Sequence, residues 1–455
     1  VFDLVIRNGH VVGPGIDTVM DVAVDGEVIA AIGHGLRGRR ELDATGLLVV
    51  PGAVDGHVHI RTERAEWSYD DTFRTGSVAA AFGGVTTFLD QVQVEPGVRL
   101  CAALAGRQGE AQGECLVDYG FHVNPREPSR ERIDEIPEVV QAGVPTIKFF
   151  MSYEGWALSD DLILRGMQHV AAAGGLAIVH AENKAVIEEL VRQQLELGRS
   201  GPQWHAAARP ASMEAEASHR ALALARLAGA RVLLYHVTAA ESVEELRRAR
   251  RHGDAAFGEA CLHYLVLDES AILDPVTGPA FEVSPPLRDA GHRDALWRAL
   301  ADGTLDVVST DHGPRRRVRD AAGELVPPPG TSGIEVRLAL VHDLGVRTGL
   351  LSLQRWVEVC CTRPADVFGL PTKGRLLPGL DADIVLFDPD REVMLSAPAL
   401  HSHVDHSTYE GMRVRGFPVT TISRGEIVVE DGTLAAEPGR GRLAPRGWRP
   451  PGRIG

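Results

Sequence analysis

Apolar and polar residues alternate at both ends of the chain and gather into short runs in its middle. Phe2-Asp-Leu-Val-Ile-Arg-Asn-Gly9 has the period of two expected of a half-buried strand. Asp21-Val-Ala-Val-Asp-Gly26 and Glu27-Val-Ile-Ala-Ala-Ile-Gly33 read as a hairpin with Asp25-Gly26 at its tip. The same style returns near the end, in Ala382-Asp-Ile-Val-Leu-Phe-Asp388 and Thr420-Thr-Ile-Ser-Arg-Gly-Glu-Ile-Val-Val-Glu-Asp-Gly432. Two β-rich ends around a different middle predict one β-sandwich domain built from residues 1–50 and 371–455. The last part, 440–455, reads as an extended tail. Pro327-Pro-Pro-Gly330 is the clearest loop.

In the middle, eight short apolar β-branched runs recur, at 47–50, 85–89, 116–123, 146–151, 176–179, 231–237, 255–265 and 305–310. Helical patterns such as 213–227 and 242–251 lie between them. Alternation of strand and helix implies parallel strands with crossover helices. Eight such units predict an α/β chain with a TIM (β/α)8 barrel over residues 51–370.

A barrel of this kind carries its chemistry at the C-terminal ends of its strands. Polar residues stand there in Asp55-Gly-His57-Val-His59, in Ala177-Ile-Val-His180, in Leu233-Leu-Tyr-His236 and in Val307-Val-Ser-Thr-Asp311. Two histidines at i and i+2 of an extended segment point the same way, so both imidazoles reach one ion. Any one of these residues alone has a plain structural explanation, such as a helix cap or a satisfied core histidine. Five of them at one end of four strands point to a metal centre.

Composition adds one unusual fact. Lys+Arg total 47, yet only Lys148, Lys184 and Lys373 are lysines. Lys148 sits inside the apolar run Thr146-Ile-Lys-Phe-Phe-Met151, where an ammonium is costly. An arginine keeps its proton in proteins, whereas a buried lysine loses it readily. A neutral amine adds carbon dioxide to give a carbamate, an anionic oxygen ligand able to bridge two metal ions.

The net charge of −15 argues against nucleic acid or an anionic membrane as partner. No stretch is long and apolar enough for a membrane helix. Five cysteines without a CxxC spacing suit a reducing, cytoplasmic compartment. No signal peptide opens the chain, and the absent initiator Met suggests a trimmed start.

These residues together resemble the amidohydrolase superfamily. The wording is most similar to its cyclic-amide branch, the dihydropyrimidinases and D-hydantoinases. The matching segments are Ile147-Lys-Phe-Phe-Met-Ser-Tyr153, His180-Ala-Glu-Asn183, Arg209-Pro-Ala-Ser-Met-Glu-Ala-Glu-Ala-Ser-His219, Ser284-Pro-Pro-Leu-Arg288, Ser309-Thr-Asp-His312 and Tyr409-Glu-Gly411. The resemblance implies two divalent metal ions, usually zinc. His57 and His59 would hold the first and His180 and His236 the second. Lys148, as N6-carboxylysine, would bridge them, with Asp311 on the first ion. The implied reaction is attack of a metal-bridging hydroxide on a ring amide, with Asp311 as general base and then acid. Tyr153 would stabilise the tetrahedral oxyanion and Ser284 would help hold the ring amide. The family also implies a small cyclic-amide substrate and a homotetramer.

Some positions depart from that pattern. Val336 in Gly333-Ile-Glu-Val-Arg337 stands where relatives often carry Asn, at a position whose substrate contact runs largely through backbone. His57-Val-His-Ile-Arg61 resembles dihydroorotase, in which the corresponding Arg binds the substrate carboxylate. Glu66-Trp67 and Gly83-Gly-Val-Thr-Thr87 resemble allantoinase. Pro314-Arg-Arg-Arg-Val-Arg319 adds basic residues after Asp311. Arg61 and Arg315 therefore make an anionic ring amide the alternative substrate. Residues after Lys148 in allantoinase and dihydroorotase differ from those here. Filled ligand positions argue against the family's non-catalytic scaffolds.

Overall fold

The computed structural model describes residues 1–61, 68–274, 277–319, 325–326 and 328–448. Strands Phe2–Gly13, Ile16–Asp25, Val28–Gly33, Gly38–Asp43 and Leu48–Pro51 share one nine-stranded sheet with Ile384–Met394, Arg413–Ser423, Glu426–Glu430 and Thr433–Leu434. The two ends of the chain meet where Leu48–Pro51 pairs antiparallel with Ile384–Met394, Val49 opposite Leu386. Period-two alternation gives both sides of this junction an apolar face. Leu4, Ile6, Val22, Val24 and Ile29 from the start pack into one core with Ile384, Leu386, Ile422 and Ile427 from the end. The hairpin expected around Asp25-Gly26 is present, with Asp25 opposite Val28.

The run at 47–50 differs from expectation. It belongs to this terminal sheet, and the first barrel strand is Ala53–Val58. Gly52 makes the change of sheet possible. A Cβ there would come within 2.1 Å of Thr86 Oγ1 and 2.9 Å of Asp383 Cβ, so only glycine lets the chain pass.

The barrel sheet follows chain order through Ala53–Val58, Val85–Gln93, Asp118–Asn124, Thr146–Phe150, Leu176–His180, Val232–Leu234, Ala256–Cys261 and Val307–Ser309. From Asp118–Asn124 to Val307–Ser309 the pairings are parallel, with Lys148 opposite Ile178 and Cys261 opposite Ser309. Helices such as Asp160–Ala172, Lys184–Glu196, Ala211–Ala228 and Ala240–Arg251 supply the crossovers. The run at 255–265 ends as a strand at Cys261 and continues as a short helix, Leu262–Val266. By contacts the chain groups into two compact units, residues 1–89, 111–120 and 332–455, and residues 90–110 and 121–331.

Inside the first unit lies a buried ion cluster. Lys373 Nζ is 2.6 Å from Asp118, 2.8 Å from Asp383 and 2.9 Å from Asp381. Arg424 Nε lies 3.0 Å from Asp118. Burial opposes the Lys373 charge, but Asp383, Asp118 and Asp381 outweigh it and hold the ammonium above the ordinary lysine value. The segment 440–448 is docked rather than free. Arg442 N donates to Asp118 Oδ1 at 2.9 Å, and Ala444 N donates to Tyr119 O at 2.8 Å. No described helix is long and apolar enough to cross a membrane. Of the sequence-level features, residues 62–67, Pro327 and 449–455 lie outside the described residues.

Removing the ammonium would strand buried carboxylates. Lys373→Met is expected to cost about 3–5 kcal/mol of stability in denaturant unfolding. Unfolding at the parental midpoint would contradict the cluster's role.

Candidate functional site

Each unit brings candidate groups to the ends of its strands. In the first unit, Ala53–Val58 alternates so that Asp55 and His57 share one side. Both are fully buried. The His57 amide donates to Asp55 Oδ1 at 3.2 Å, and Asp55 lies 3.7 Å from the guanidinium of Arg337. The His57 and His59 rings are 5.3 Å apart, and Tyr69 stands 5.4 Å from His59.

In the second unit, Lys148 projects from Thr146–Phe150 and is only 2% exposed. Its amine lies 4.8 Å from the ring centres of Phe150 and Tyr235. Burial pushes it down to about 8, against the pull of Asp311, Glu259 and Cys261. His180 ends the next strand. Its Nδ1 is 2.9 Å from His236 Nε2, and its Nε2 is 2.7 Å from Glu182 Oε2. Burial, reinforced by the Lys148 charge, pushes His180 down to about 3. Burial and His180 hold His236 well below the usual histidine value.

The strand-to-helix turns fix these side chains. Asn183 caps Lys184–Glu196 by accepting from Val186 N at 3.2 Å, which leaves only two residues after the strand. Glu214, buried on Ala211–Ala228, accepts from Thr238 N at 2.9 Å and Ala239 N at 3.0 Å. Arg288 closes this frame, 2.7 Å from Glu214, 2.7 Å from Thr238 Oγ1 and 3.0 Å from Arg209 O. Part of the motif wording at 209–219 and 284–288 is thus a brace for the turn after His236.

Tyr153, His236 and Asp311 have left-handed backbone, with φ of 72°, 38° and 49°. Non-glycine residues rarely adopt this region, and such strain gathers at functional sites. Tyr153 and His180 have ring centres 4.9 Å apart. The structure therefore groups Lys148, Tyr153, His180, His236, Ser284 and Asp311 within the second unit.

Other residues fare differently. Val336 is buried and lines a small pocket with Ser332, Glu335 and Leu400 of the first unit. Arg61 is exposed at the edge of the undescribed stretch that includes Glu66-Trp67. Arg315 is partly buried, whereas Arg316, Arg317 and Arg319 are exposed. Trp156, three residues after Tyr153, stacks under Arg126 at 4.5 Å.

Sequence reading missed several buried groups. Glu259 takes the His236 amide at 3.1 Å, and burial pushes its carboxyl up to about 8. Glu182, pushed up to about 7 by burial, contacts His180 and lies 3.6 Å from Arg209. His205 is 3.0 Å from Ser284 Oγ. The signal that singled out Lys148, a polar residue inside an apolar run, also marks Glu259 and Cys261. His57, His59, Asp311, Glu259 and Cys261 are candidate metal-binding residues.

A model described as the amidohydrolase family matches residues 48–428. The D-hydantoinase of Streptomyces coelicolor is 41% identical over 97% of this chain and 97% of its own length. The chain belongs to the amidohydrolase family. The D-hydantoinase of Geobacillus stearothermophilus is 37% identical over 97% of this chain and 96% of its own. Among solved structures, D-hydantoinase from a Bacillus sp. superposes with a TM-score of 0.93 at 37% identity, covering 98% of this chain and 99% of that one. L-hydantoinase (dihydropyrimidinase) from Arthrobacter aurescens gives 0.89 at 31% identity, over 98% and 100%. The barrel with a terminal sheet domain is thus the architecture of this amidohydrolase.

The donor chemistry fits divalent metal. Neutral imidazole is the form that binds an ion, and burial holds His180 and His236 in it.

Glu214 gives the brace an acid limit. Its carboxyl is held below the usual 4.5, because Arg288 and the Thr238 hydrogen bonds outweigh burial. A depressed value contributes stability that is complete above the unfolded pKa and lost as pH falls through the folded one. Glu214→Gln is expected to be less stable at pH 7 and to lose less stability on acidification below 4.5. Parallel acid-unfolding curves for the two proteins would contradict this.

Proposed function

We propose that the chain opens the ring of a small cyclic amide, a hydantoin, dihydropyrimidine or related ureide or imide. The observation that carries the reading is the fully buried Lys148 amine, pushed by burial down to about 8, in an amidohydrolase barrel. The relatives' names, D-hydantoinase throughout the first matches, support the substrate class.

In this reading His57 and His59 hold one divalent ion and His180 and His236 a second. Lys148, carboxylated on Nζ, would be a ligand shared by the two, and Asp311 would join His57 and His59 on the first. Zinc suits imidazole and carboxylate donors. Two such ions, when bound, lower the pKa of water and polarise a carbonyl. The protein's residues do the rest. Asp311 takes a proton from the attacking water and delivers it to the leaving ring nitrogen. Tyr153 Oη donates to the carbonyl oxygen as it gains charge. Burial raises the Tyr153 phenol above its usual value, so it stays a donor throughout the working pH range. Ser284 helps hold the ring amide, and Val336 flanks it through backbone.

The barrel over 51–370 carries this chemistry, and 1–50 with 371–455 form the terminal domain. By family resemblance the protein works as a cytoplasmic homotetramer. Arg61 and Arg315 are the residues that would meet a carboxylate on an anionic ring.

The test is ring opening of hydantoin, dihydrouracil and dihydroorotate after preparation with divalent metal and bicarbonate. Turnover of a neutral ring is expected, with Lys148→Ala losing both metal and activity. A fully metallated, active Lys148→Ala protein would sink the reading.

A further inference from the structure

Strand Val307–Ser309 ends just before Asp311, and a later stretch of the same unit meets the turn that follows. The Thr331 hydroxyl donates to the Asp311 carbonyl at 2.8 Å, with the Thr310 carbonyl farther off at 3.5 Å. Gly313 N donates back to the Thr331 carbonyl at 2.9 Å, and His312 and Thr331 form a parallel bridge. Thr310, His312 and Thr331 are all buried.

Asp311 needs this support. The register with the neighbouring strand ends at Ser309, opposite Cys261. Two residues on, Asp311 has a φ of 49°, a left-handed conformation that persists only where the surroundings over-determine it. A carbonyl only accepts, so the direction of the bond is fixed and the Thr331 proton points at Asp311. Thr331 is β-branched, which restricts its χ1 and so the aim of the hydroxyl. The approach is close because the residue before it has no side chain. A Cβ on Gly330 would come within 2.4 Å of the Gly313 carbonyl oxygen, and its φ of 142° also favours glycine. The turn is thus gripped twice, at the Asp311 carbonyl by a side chain and at Gly313 N by backbone.

We infer that Thr331 is a positioning residue for Asp311, its hydroxyl holding the Asp311 backbone in the left-handed turn from which the carboxylate serves the reacting water and the leaving nitrogen. The inference rests on the proposed role of Asp311 as general base and acid. An aspartate carboxylate stands only two bonds from the backbone, so it takes its place from the turn that bears it. A turn that relaxes toward an ordinary φ swings the carboxylate away from its proton partners. A misplacement of about 1 Å costs on the order of 10²-fold in rate.

Hydantoin hydrolysis at saturating divalent metal tests this, alongside chelator competition for the metal. Thr331→Val keeps the shape of the side chain and removes the hydroxyl. It should lose about tenfold in kcat with KM unchanged. Asp311 is also a proposed ligand, so the same variant should hold metal about tenfold more weakly. Thr331→Ser keeps the hydroxyl and should recover most of both. Thr331→Ala gives the same comparison if the valine variant does not fold. Parental kcat or parental metal retention in the valine variant overturns the inference. A serine variant as impaired as valine, or a loss confined to KM, also overturns it. An impaired Asp311→Asn beside an unimpaired Thr331→Val overturns the role of Thr331 alone. A fully active Asp311→Asn overturns the reading of Asp311 itself.

Discussion

An amine buried among apolar side chains must be neutralised by partners or give up its proton. The chain contains both answers. Lys373 meets three carboxylates within 2.9 Å and stays charged, tying the segments around Asp118, Asp381 and Asp383 together. Lys148 lies between aromatic rings, and burial outweighs the nearby negative groups. The third lysine, Lys184, is an ordinary surface cation paired with Glu154 and Glu188. In a chain that otherwise uses arginine, each buried lysine marks a place where a compact, titratable amine matters.

The same low-dielectric interior sets the state of the other groups around Lys148. It keeps His180 and His236 as neutral imidazoles and the Tyr153 phenol protonated. It raises Glu182 and Glu259 into the neutral range. Backbone strain at Tyr153, His236 and Asp311 costs on the order of 1–3 kcal/mol each. The Glu214–Arg288–Thr238 brace and the Glu259 contact to the His236 amide hold the His236 turn in place.

Much of this was legible before the structure. Alternation at both ends announces the terminal sheet, and the histidine spacing and Lys148 mark the candidate donors. The run at 47–50 reads as a barrel strand, yet pairs in the terminal sheet, because four apolar residues look alike in either. What separates the sheets is the tight passage at Gly52, a property of Thr86 and Asp383 as much as of glycine. Glu182 and Glu259 do not stand out in the sequence, because a carboxylate beside an apolar run usually reads as a cap or a surface group. His205 lies on the short helix Pro202–Ala207, far along the chain from Ser284, whose Oγ it meets at 3.0 Å. Only folding makes them neighbours. The arginines at 315–319 read as binding residues from their number, and the structure exposes most of them.

In the proposed mechanism, burial prepares Lys148 to take up carbon dioxide. The direct measurement is carbon NMR of the protein prepared with labelled bicarbonate and divalent metal. A carbamate carbonyl resonance, absent from Lys148→Ala and lost when acid releases the metal, is the predicted result. A parental protein that binds its full metal complement and hydrolyses hydantoin without that resonance would rule out a carboxylated Lys148.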